Sequence, residues 1–305
     1  MPIPGILVAL LGVVTVLSLI ARNRAPFEML EHFRPHLIVA GLAGAALCLA
    51  LSFLWEWALV SFGLALVNYA ALPARAWLRP EPQLEKNPGL TVVWANVWEK
   101  DTALERTLDW AKAQDADLIL LTEFPKMDAA AVLPGDYAHR LDSGSDFKKY
   151  EIRVVALSRM PIEGGEVRAG PGPHIRPWLT FSVSVDGQRL NLAATHPVPP
   201  YTPKMLAERA AQIALLSPAE PFVIAGDFNA TPWTPGYAAI PGKRVGAYLF
   251  KPTWFNSLPL LGLPIDHIMV SPGLKASVYR VSPGLGSDHR AILARVHLPC
   301  RAGGP

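Results

Sequence analysis

The sequence predicts an α/β (α+β) protein of packed mixed β-sheets flanked by helices, preceded by a helical membrane segment. Nine short apolar segments have the pattern of strands, and only two amphipathic segments between them have the pattern of helices. A purely parallel sheet needs a helix in most connections, so this shortage of helices favours mixed sheets. A third observation, three long uncharged runs in the first 72 residues, predicts the membrane segment.

The three uncharged runs predict three transmembrane helices. Residues 1–21 carry no charged side chain, and residues 37–54 and 57–72 follow as two runs separated only by Trp55 and Glu56. A helix needs about 20 residues to cross a bilayer, within a range of about 17–25. A signal peptide is an alternative for the first run, but that run lacks a basic start and a clear cleavage site. Buried helices of a soluble core are the other alternative, which three runs in so short a segment disfavour.

The orientation of the anchor is ambiguous. Arg22, Arg24 and Arg34 lie in the first predicted loop, and Arg75 and Arg79 follow the third run. The positive-inside rule would place this loop and the C-terminal domain in the cytoplasm, although the bias rests on few residues.

The chain is expected to divide into a membrane anchor (1–75), a proline-rich linker (76–89), a globular domain (90–298) and a flexible tail (299–305). The strands of the globular domain are expected at 91–97, 117–123, 153–158, 179–185, 190–196, 221–227, 265–270, 277–281 and 291–298, and its helices at 103–113 and 204–216.

The globular part is close to neutral, with 22 Lys and Arg against 20 Asp and Glu from residue 90 onward. This balance weakens the case for a duplex-DNA binder with a broad basic surface. The two cysteines, Cys48 and Cys300, are far apart in the sequence, so they predict neither a disulfide framework nor a zinc site.

The segment GDFNATPW (226–233) follows the apolar run PFVIA and presents a carboxylate and a carboxamide two residues apart. If the strand continues, Asp227 and Asn229 point to the same side. Together they suit a cation and a phosphate. An ordinary strand-to-loop turn explains these eight residues equally well, because Gly, Asp and Asn are common in turns.

Polar side chains lie at the ends of several other predicted strands. Each alone is most simply a surface turn, but sheet proteins place functional groups on loops at one edge of a rigid scaffold. The set could bind a hard divalent cation, and it could supply a base for water and neutral donors for phosphoryl oxygens. It does not need a nucleophilic Ser or Cys. It comprises Asn96, Glu123, His196, Asp227, Asn229, Asp266, Asp288 and His289.

These residues resemble the ordered signature of the endonuclease/exonuclease/phosphatase superfamily, which has the DNase I-like fold. The matching motifs are Asn96, LTE ending at Glu123, GDFN, IDH around Asp266 and SDHR at 287–290. The resemblance covers about residues 90–298. It implies a four-layer sandwich of two packed mixed β-sheets flanked by helices, and metal-dependent hydrolysis of phosphoesters.

The resemblance also implies a Mg²⁺ or Mn²⁺ site. Glu123 resembles the main Mg²⁺-binding carboxylate, and Asn96 resembles the residue that orients it or a nearby phosphate oxygen. Asp288 resembles a second acidic group near the metal.

The remaining residues resemble the catalytic groups of the superfamily. Asp227 resembles the residue that deprotonates the attacking water or handles the leaving-group proton, and Asn229 resembles the phosphate-binding amide. Asp266 and His289 resemble a carboxylate–imidazole pair in which the Asp holds the His in one tautomer. His196 resembles an imidazole of the nuclease-like and sphingomyelinase-like branches, where other branches have a Tyr, so a Tyr-dependent abasic-site endonuclease is disfavoured.

Other polar residues are given structural roles or none. His267 is expected to face away from Asp266, Arg176 to be a solvated loop arginine, and Trp233 to pack within its loop. No role is assigned to His32, nor to His139, His174 and His297.

The substrate is inferred from the anchor and from a narrower resemblance. HFRPH (32–36), THPVPP and GDFNATPW resemble bacterial membrane-anchored members related to teicoplanin-resistance-associated proteins. This branch implies that the substrates are lipid pyrophosphates of the undecaprenyl type on the outer side of a cell membrane. The catalytic domain would then lie outside the cytoplasm, which is the opposite of the side that the positions of the arginines indicate. The expected partners are therefore membrane lipids and a lipid-linked or small phosphoester, with nucleic acid disfavoured and no protein partner inferable.

The sequence therefore predicts a multi-pass membrane protein that hydrolyses a phosphoester or pyrophosphate with water activated by a metal and Asp227. Two alternatives stay open: a membrane-tethered nuclease, and a binding or sensor protein with a silent site.

Overall fold

The computed structural model describes residues 3–51, 54–74, 89–128, 135–144, 152–170, 172–174, 176–246 and 251–299. Nearly all of the expected linker (76–89) and of the expected tail (299–305) lies outside the described residues. The helices are α1 (Ile3–Ile20), α2 (Glu28–His32), α3 (Arg34–Ala50), α4 (Trp55–Ala70), α5 (Asp101–Ala113), α6 (Pro203–Ala214) and α7 (Pro235–Ala238), with a 3-10 helix at Pro259–Leu261. The strands are β1 (Leu90–Asn96), β2 (Leu118–Thr122), β3 (His139–Asp142), β4 (Val154–Ser158), β5 (Glu163–Arg168), β6 (Trp178–Val185), β7 (Gln188–Thr195), β8 (Phe222–Asp227), β9 (Lys243–Arg244), β10 (Asp266–Val270), β11 (Lys275–Val281) and β12 (Ile292–His297).

The three uncharged runs form α1, α3 and α4, but the expectation of three membrane spans is not confirmed. Among the described helices only α1, with 18 residues and a mean hydropathy of 2.6, is long and apolar enough to cross a bilayer. A signal sequence or a core helix would meet the same test. Helix α3 has 17 residues and ends at Ala50, and α4 has 16 residues and begins at Trp55, so both are shorter than α1.

The outer surface of these three helices is apolar. Large aliphatic side chains point away from the helix contacts and are exposed, whereas a small polar or apolar side chain such as Ser61 or Ala65 lies at the contacts. A solvated surface of this composition is unusual for a soluble protein, in which large apolar patches mark binding surfaces. The exposed side chains include Leu7, Leu10, Val13, Leu42, Leu59 and Leu66.

Two six-stranded mixed sheets form the globular part. The first sheet has the order β11-β12-β1-β2-β4-β3, and the second has the order β5-β6-β7-β8-β10-β9. All nine expected strands are present. The strands β3, β5 and β9 were missed because β5 is exposed along its whole length and has one large apolar residue, Val167, while the other two are short.

The two sheets pack face to face, with α5 on the outer face of the first sheet and α6, together with the short α7, on the outer face of the second. Trp94 belongs to the buried cluster between the sheets. On the first sheet, Leu108 of α5 packs with Leu121 of β2 in one cluster. On the second sheet, Ile213 of α6 packs with Ile224 of β8 in another. The order helix, sheet, sheet, helix confirms the expected four-layer arrangement.

The central strands bring their polar ends to one edge of the sandwich. Strands β1 and β2 are parallel, and so are β7 and β8, so Asn96, Glu123, His196 and Asp227 stand at or just after the carboxyl ends of their strands. Strand β10 is antiparallel to β8 and begins at this edge, with Asp266 directly opposite Asp227. The pairing of β1 with β2, of β7 with β8 and of β8 with β10 therefore brings these polar residues to the same edge of the sandwich.

Helix α2 docks on the globular part. Glu28 forms a buried ion pair with Arg209 of α6. The indole nitrogen of Trp233 donates hydrogen bonds to the carbonyl oxygens of Glu31 (2.9 Å) and His32 (3.1 Å). Trp233 was expected to pack within its own loop, but it packs against the N-terminal segment instead.

The close contact between β7 and β8 at Gly226 can be tested. A Cβ atom at Gly226 would lie 2.6 Å from the carbonyl oxygen of Thr195 and 3.0 Å from the Phe228 ring. We expect Gly226→Ala to lower the free energy of unfolding by about 1–3 kcal/mol, because the strands must move apart. In Gly273→Ala, the matched control, the new Cβ meets nothing within 4 Å. Denaturant unfolding of both purified variants measures the difference, and equal midpoints would contradict this packing.

Candidate active site

Asn96 connects the two sheets at the edge where the strands end. Its amide nitrogen donates to Oε1 of Glu123 at 2.9 Å and to Oδ2 of Asp227 at 3.3 Å. Its amide oxygen accepts from the backbone N–H of Trp98 at 3.0 Å, which fixes the orientation of the carboxamide. One buried amide therefore sets the spacing between a carboxylate of the first sheet and one of the second.

Two site residues have backbone conformations that are rare for their type. Glu123 has φ of 50° and Asn229 has φ of 48°, in the left-handed region. Asn adopts this region readily, whereas Glu does so at some energetic cost. The side chain of Glu123 lies in a mostly buried position, and burial raises the pKa of its carboxyl group against the opposing effects of Asn96 and His289.

Asp266 and His289 form a buried hydrogen-bonded pair. Nδ1 of His289 lies 2.8 Å from Oδ2 of Asp266. The other oxygen of Asp266 accepts from the indole N–H of Trp94 at 2.9 Å. Burial alone would lower the pKa of His289, but Asp266 and Asp227 outweigh it and raise that pKa to about 10. His289 is therefore charged at neutral pH.

Asp227 is surrounded by both site imidazoles. Its Oδ2 lies 3.3 Å from Nε2 of His196 and 3.6 Å from Nε2 of His289. Its Oδ1 accepts from the backbone N–H of Asn229 at 3.0 Å. Burial, together with the nearby charge of Asp266, raises the pKa of Asp227 to about 7. A carboxyl group with this pKa can both accept and release a proton near neutral pH.

His196 is held in the neutral form. Its Nδ1 lies 3.1 Å from the hydroxyl oxygen of Thr122, and Nη1 of Arg176 lies 2.5 Å from its Nε2. Burial, then the positive charges of Arg176 and His289, lower its pKa well below the usual value. Arg176 was expected to be a solvated loop arginine, and that expectation is wrong because this contact brings its guanidinium into the site.

Two sets of side chains offer a place for a cation. Asp227, Asp266 and His289 offer ligand atoms within 4.8 Å of one another, but both oxygens of Asp266 already accept hydrogen bonds. Glu123 is a better ligand, since its contacts with described side chains involve Oε1 and leave Oε2 available. By chemical type, the carboxylates of Glu123 and Asp288 and the amide oxygen of Asn96 fit Mg²⁺ or Mn²⁺. The oxygens of Asp288 also accept hydrogen bonds from Trp254 and Ser287. The amide oxygen of Asn96 accepts from Trp98, so Glu123 is the member of this set with an available oxygen.

The expected site residues line one pocket or contact its lining. Asn96 and Asp266 support it from behind through the hydrogen bonds described above. The structure thus brings together all eight residues of the set, while their individual roles stay predictions. Six of them contribute to the pocket surface: Glu123, His196, Asp227, Asn229, Asp288 and His289.

His267 faces away from this pocket, as expected. Its Nε2 hydrogen-bonds the carbonyl oxygen of Ala230 at 2.7 Å, and its ring stacks on Phe228 and meets Tyr237 edge-on. It is a core histidine on the opposite face of β10.

Sequence analysis missed several residues of the pocket wall. Met29 and His32 reach it from α2, and Tyr201 and Trp254 reach it from loops. The sequence analysis assigned no role to His32, which the structure places in the pocket wall. The motif HFRPH, noted only as part of a resemblance, was the one signal in the sequence that pointed to this segment.

The comparison with known families agrees with this geometry. The model of the endonuclease/exonuclease/phosphatase family matches residues 93–289. The chain belongs to this family. Members of the superfamily are metal-dependent phosphoester hydrolases. A search of curated proteins found no significant match.

Solved structures of the same fold are similar to the chain at low identity. An endonuclease/exonuclease/phosphatase from Beutenbergia cavernae is 18% identical, with a TM-score of 0.57 over 69% of this chain and 72% of its own. A humanized TDP2 from D. rerio is 17% identical, with a TM-score of 0.54 over 68% and 99%. The human Nocturnin catalytic domain with a bound sulfate anion is 14% identical, with a TM-score of 0.53 over 71% and 97%. At these identities the similarity establishes the fold alone.

The two candidate cation positions can be distinguished by the effect of single substitutions on metal affinity. We expect Glu123→Gln to weaken Mn²⁺ binding by about tenfold or more, because it removes a charged oxygen ligand. We expect Asp266→Asn to weaken it less, since the oxygens of Asp266 are occupied by Trp94 and His289. Calorimetric titration measures both affinities, with Asp115→Asn, an exposed position beside Arg159, as the control. The reverse order would place the ion at the Asp227, Asp266 and His289 cluster.

Proposed function

We propose that the chain is a membrane-associated, divalent-metal-dependent hydrolase of a lipid-linked or small phosphoester or pyrophosphate. The observation that carries this proposal is the convergence of a buried carboxylate, Asp227, with Asn96, His196 and His289 within 3.6 Å. The arrangement combines a base, a charged imidazole and neutral donors around one small volume.

The residues divide the chemistry between them. A Mg²⁺ or Mn²⁺ ion held by Glu123, Asn96 and Asp288 would supply charge neutralisation at the phosphoryl oxygens. Asp227, whose pKa burial raises to about 7, accepts the proton of the attacking water. The new P–O bond forms as the P–O bond to the leaving group breaks, and the charged His289 stabilises the oxygens that gain negative charge.

The remaining pocket groups bind the phosphoryl group. Nδ2 of Asn229 donates to the carbonyl oxygen of Pro197 at 3.0 Å and keeps its second hydrogen for a phosphoryl oxygen. Arg176 and His196 supply further polar contacts. A tetrahedral anion suits such a set of donors, and the bound sulfate of human Nocturnin, a protein of the same fold, is consistent with this reading. No Ser or Cys nucleophile is needed, so we propose direct attack by water without a covalent intermediate.

The N-terminal helices support a substrate at a membrane surface. Their outward-facing side chains, among them Leu10, Leu42 and Leu59, are large, apolar and exposed. We propose that lipid covers this surface, with α1 crossing the bilayer and the shorter α3 and α4 inserted beside it. Because α2 joins this unit to the pocket, the site opens next to the bilayer, where a lipid-linked phosphoester is found.

Hydrolysis can be tested directly with purified protein. We expect a prenyl diphosphate to be hydrolysed with Mg²⁺ and not after EDTA is added. We expect Asp227→Ala and His289→Ala each to lower the rate by about 100-fold or more, since each removes a proton-transfer or charge-stabilising group. His139→Ala, a change on the edge strand β3, is the matched control and keeps the activity.

Other outcomes of the same assay identify the alternatives. A bis-aryl phosphate and plasmid DNA serve as further substrates in parallel reactions. Plasmid nicking that outpaces diphosphate hydrolysis would indicate a membrane-tethered nuclease. Metal binding without turnover of any of the three would indicate a binding or sensor protein.

The side of the membrane is a further prediction. We propose that the globular domain lies outside the cytoplasm, where lipid diphosphates of the undecaprenyl type release their phosphate. Added protease should then digest the domain in spheroplasts and leave it intact in inverted vesicles, while a cytoplasmic marker protein shows the opposite pattern. Protection in spheroplasts would favour the side indicated by Arg22 and Arg24.

A further inference from the structure

The active-site pocket is completed by a segment outside the family region. The matched region begins at residue 93, yet Met29 and His32 of α2 line the same pocket as Asp227 and His289. The N-terminal segment therefore supplies part of the site itself, in addition to any role as an anchor.

Helix α2 is held against the catalytic residues by direct contacts. Glu28 forms its buried ion pair with Arg209, and Nη1 of Arg209 donates to the carbonyl oxygen of Asn229 at 2.7 Å. Trp233, four residues after Asn229, fixes the main chain of His32 through its indole N–H. A Cβ atom at Gly236 would lie 2.5 Å from Nη2 of Arg209, so this contact region is closely packed. The position of His32 is thus tied to the segment that carries Asn229.

The side chain of His32 has no hydrogen-bond partner in the described structure. It is only 2% exposed, and neither Nδ1 nor Nε2 makes a hydrogen bond with a described group. The other imidazoles of the pocket are partnered, His196 by Thr122 and His289 by Asp266. A buried polar group without a partner is destabilising, and native structures tolerate it where a ligand supplies the missing contact.

The chemistry around His32 favours an anionic oxygen as that ligand. Burial, together with the positive charge of Arg209, lowers the pKa of His32 to about 3, so the imidazole is neutral and carries one N–H donor. Arg176 lines the same pocket and adds positive charge. The carboxylates of the pocket, Glu123 and Asp288, suit the cation instead. His32 is therefore a neutral donor in the wall of a pocket that also holds the guanidinium of Arg176.

We propose that His32 hydrogen-bonds an oxygen of a second phosphoryl group of the substrate and thereby favours diphosphates over phosphate monoesters. The groups at the strand ends, among them Asn229, His196 and His289, bind the phosphoryl group that is attacked. His32 contacts the group that leaves. This inference rests on the proposed phosphoester hydrolase function and adds a substrate-contacting residue from the N-terminal segment.

Binding of a non-hydrolysable diphosphate tests the inference without turnover. Methylenediphosphonate and inorganic phosphate are titrated calorimetrically into the full-length protein with Mg²⁺. We expect His32→Leu to weaken methylenediphosphonate binding by about tenfold or more, since a hydrogen bond to a charged group is lost, and to change phosphate binding less than about twofold. His32→Gln, which keeps a donor, should recover most of the affinity.

Two controls separate contact with the substrate from a structural role. His36→Leu removes a histidine of the same segment whose Nε2 binds the carbonyl oxygen of Leu260 outside the pocket, and it should leave both affinities unchanged. The thermal midpoint of His32→Leu should equal or exceed that of the wild type, because an unpartnered buried polar group is removed.

The binding experiments test the proposed contact of His32 independently of whether the protein is a hydrolase. Any of four results would overturn the proposed role of His32. Two concern binding by His32→Leu: undiminished affinity for methylenediphosphonate, or an equal loss of affinity for both ligands. The other two are a lowered thermal midpoint of His32→Leu and no diphosphate binding by the wild type. Selective loss in His32→Leu supports the proposed role even if no substrate is turned over, in which case the proposed hydrolase function alone fails.

Discussion

The hydrogen bond between the Trp94 indole and Asp266 is the contact on which the site depends most. It joins β1 of the first sheet to β10 of the second inside the protein, at 2.9 Å. Because Asp266 has one oxygen bound to Trp94 and the other to His289, the packing of the sheets and the orientation of the imidazole are set by the same carboxylate. A shift between the sheets would therefore misplace His289 directly.

The charges of the site are mutually dependent because they are buried together. Asp227 and Asp266 are paired across β8 and β10, and burial together with the charge of Asp266 raises the pKa of Asp227, which the charged His289 partly offsets. Removing one member would therefore change the protonation of the others. His196, kept neutral by its burial and by the positive charges of Arg176 and His289, supplies a hydrogen-bonding group without adding to this charge balance.

The sequence was sufficient for the fold and for the polar edge, and insufficient for the pocket wall. Strand periodicity is local, so the buried strands were found, while the exposed polar β5 had no such signal. Asn96, Glu123 and Asp227 could be grouped because parallel strands bring their carboxyl ends to one edge. His32 and Arg176 could not be assigned to the site from the sequence, because their contacts depend on how α2 and a loop dock on the rest of the protein. No local pattern encodes a contact between residues 28 and 209.

The docking of α2 also constrains when the pocket can exist. Glu28 and Arg209 are separated by 181 positions in the chain, and Trp233 follows later still. During translation α2 leaves the ribosome first and stays without its partners until the second sheet has been made. A nascent or truncated chain that ends before residue 209 has the N-terminal helices but only part of the pocket. Because Asp288 and His289 also line the pocket, the pocket is complete only after synthesis has passed residue 289.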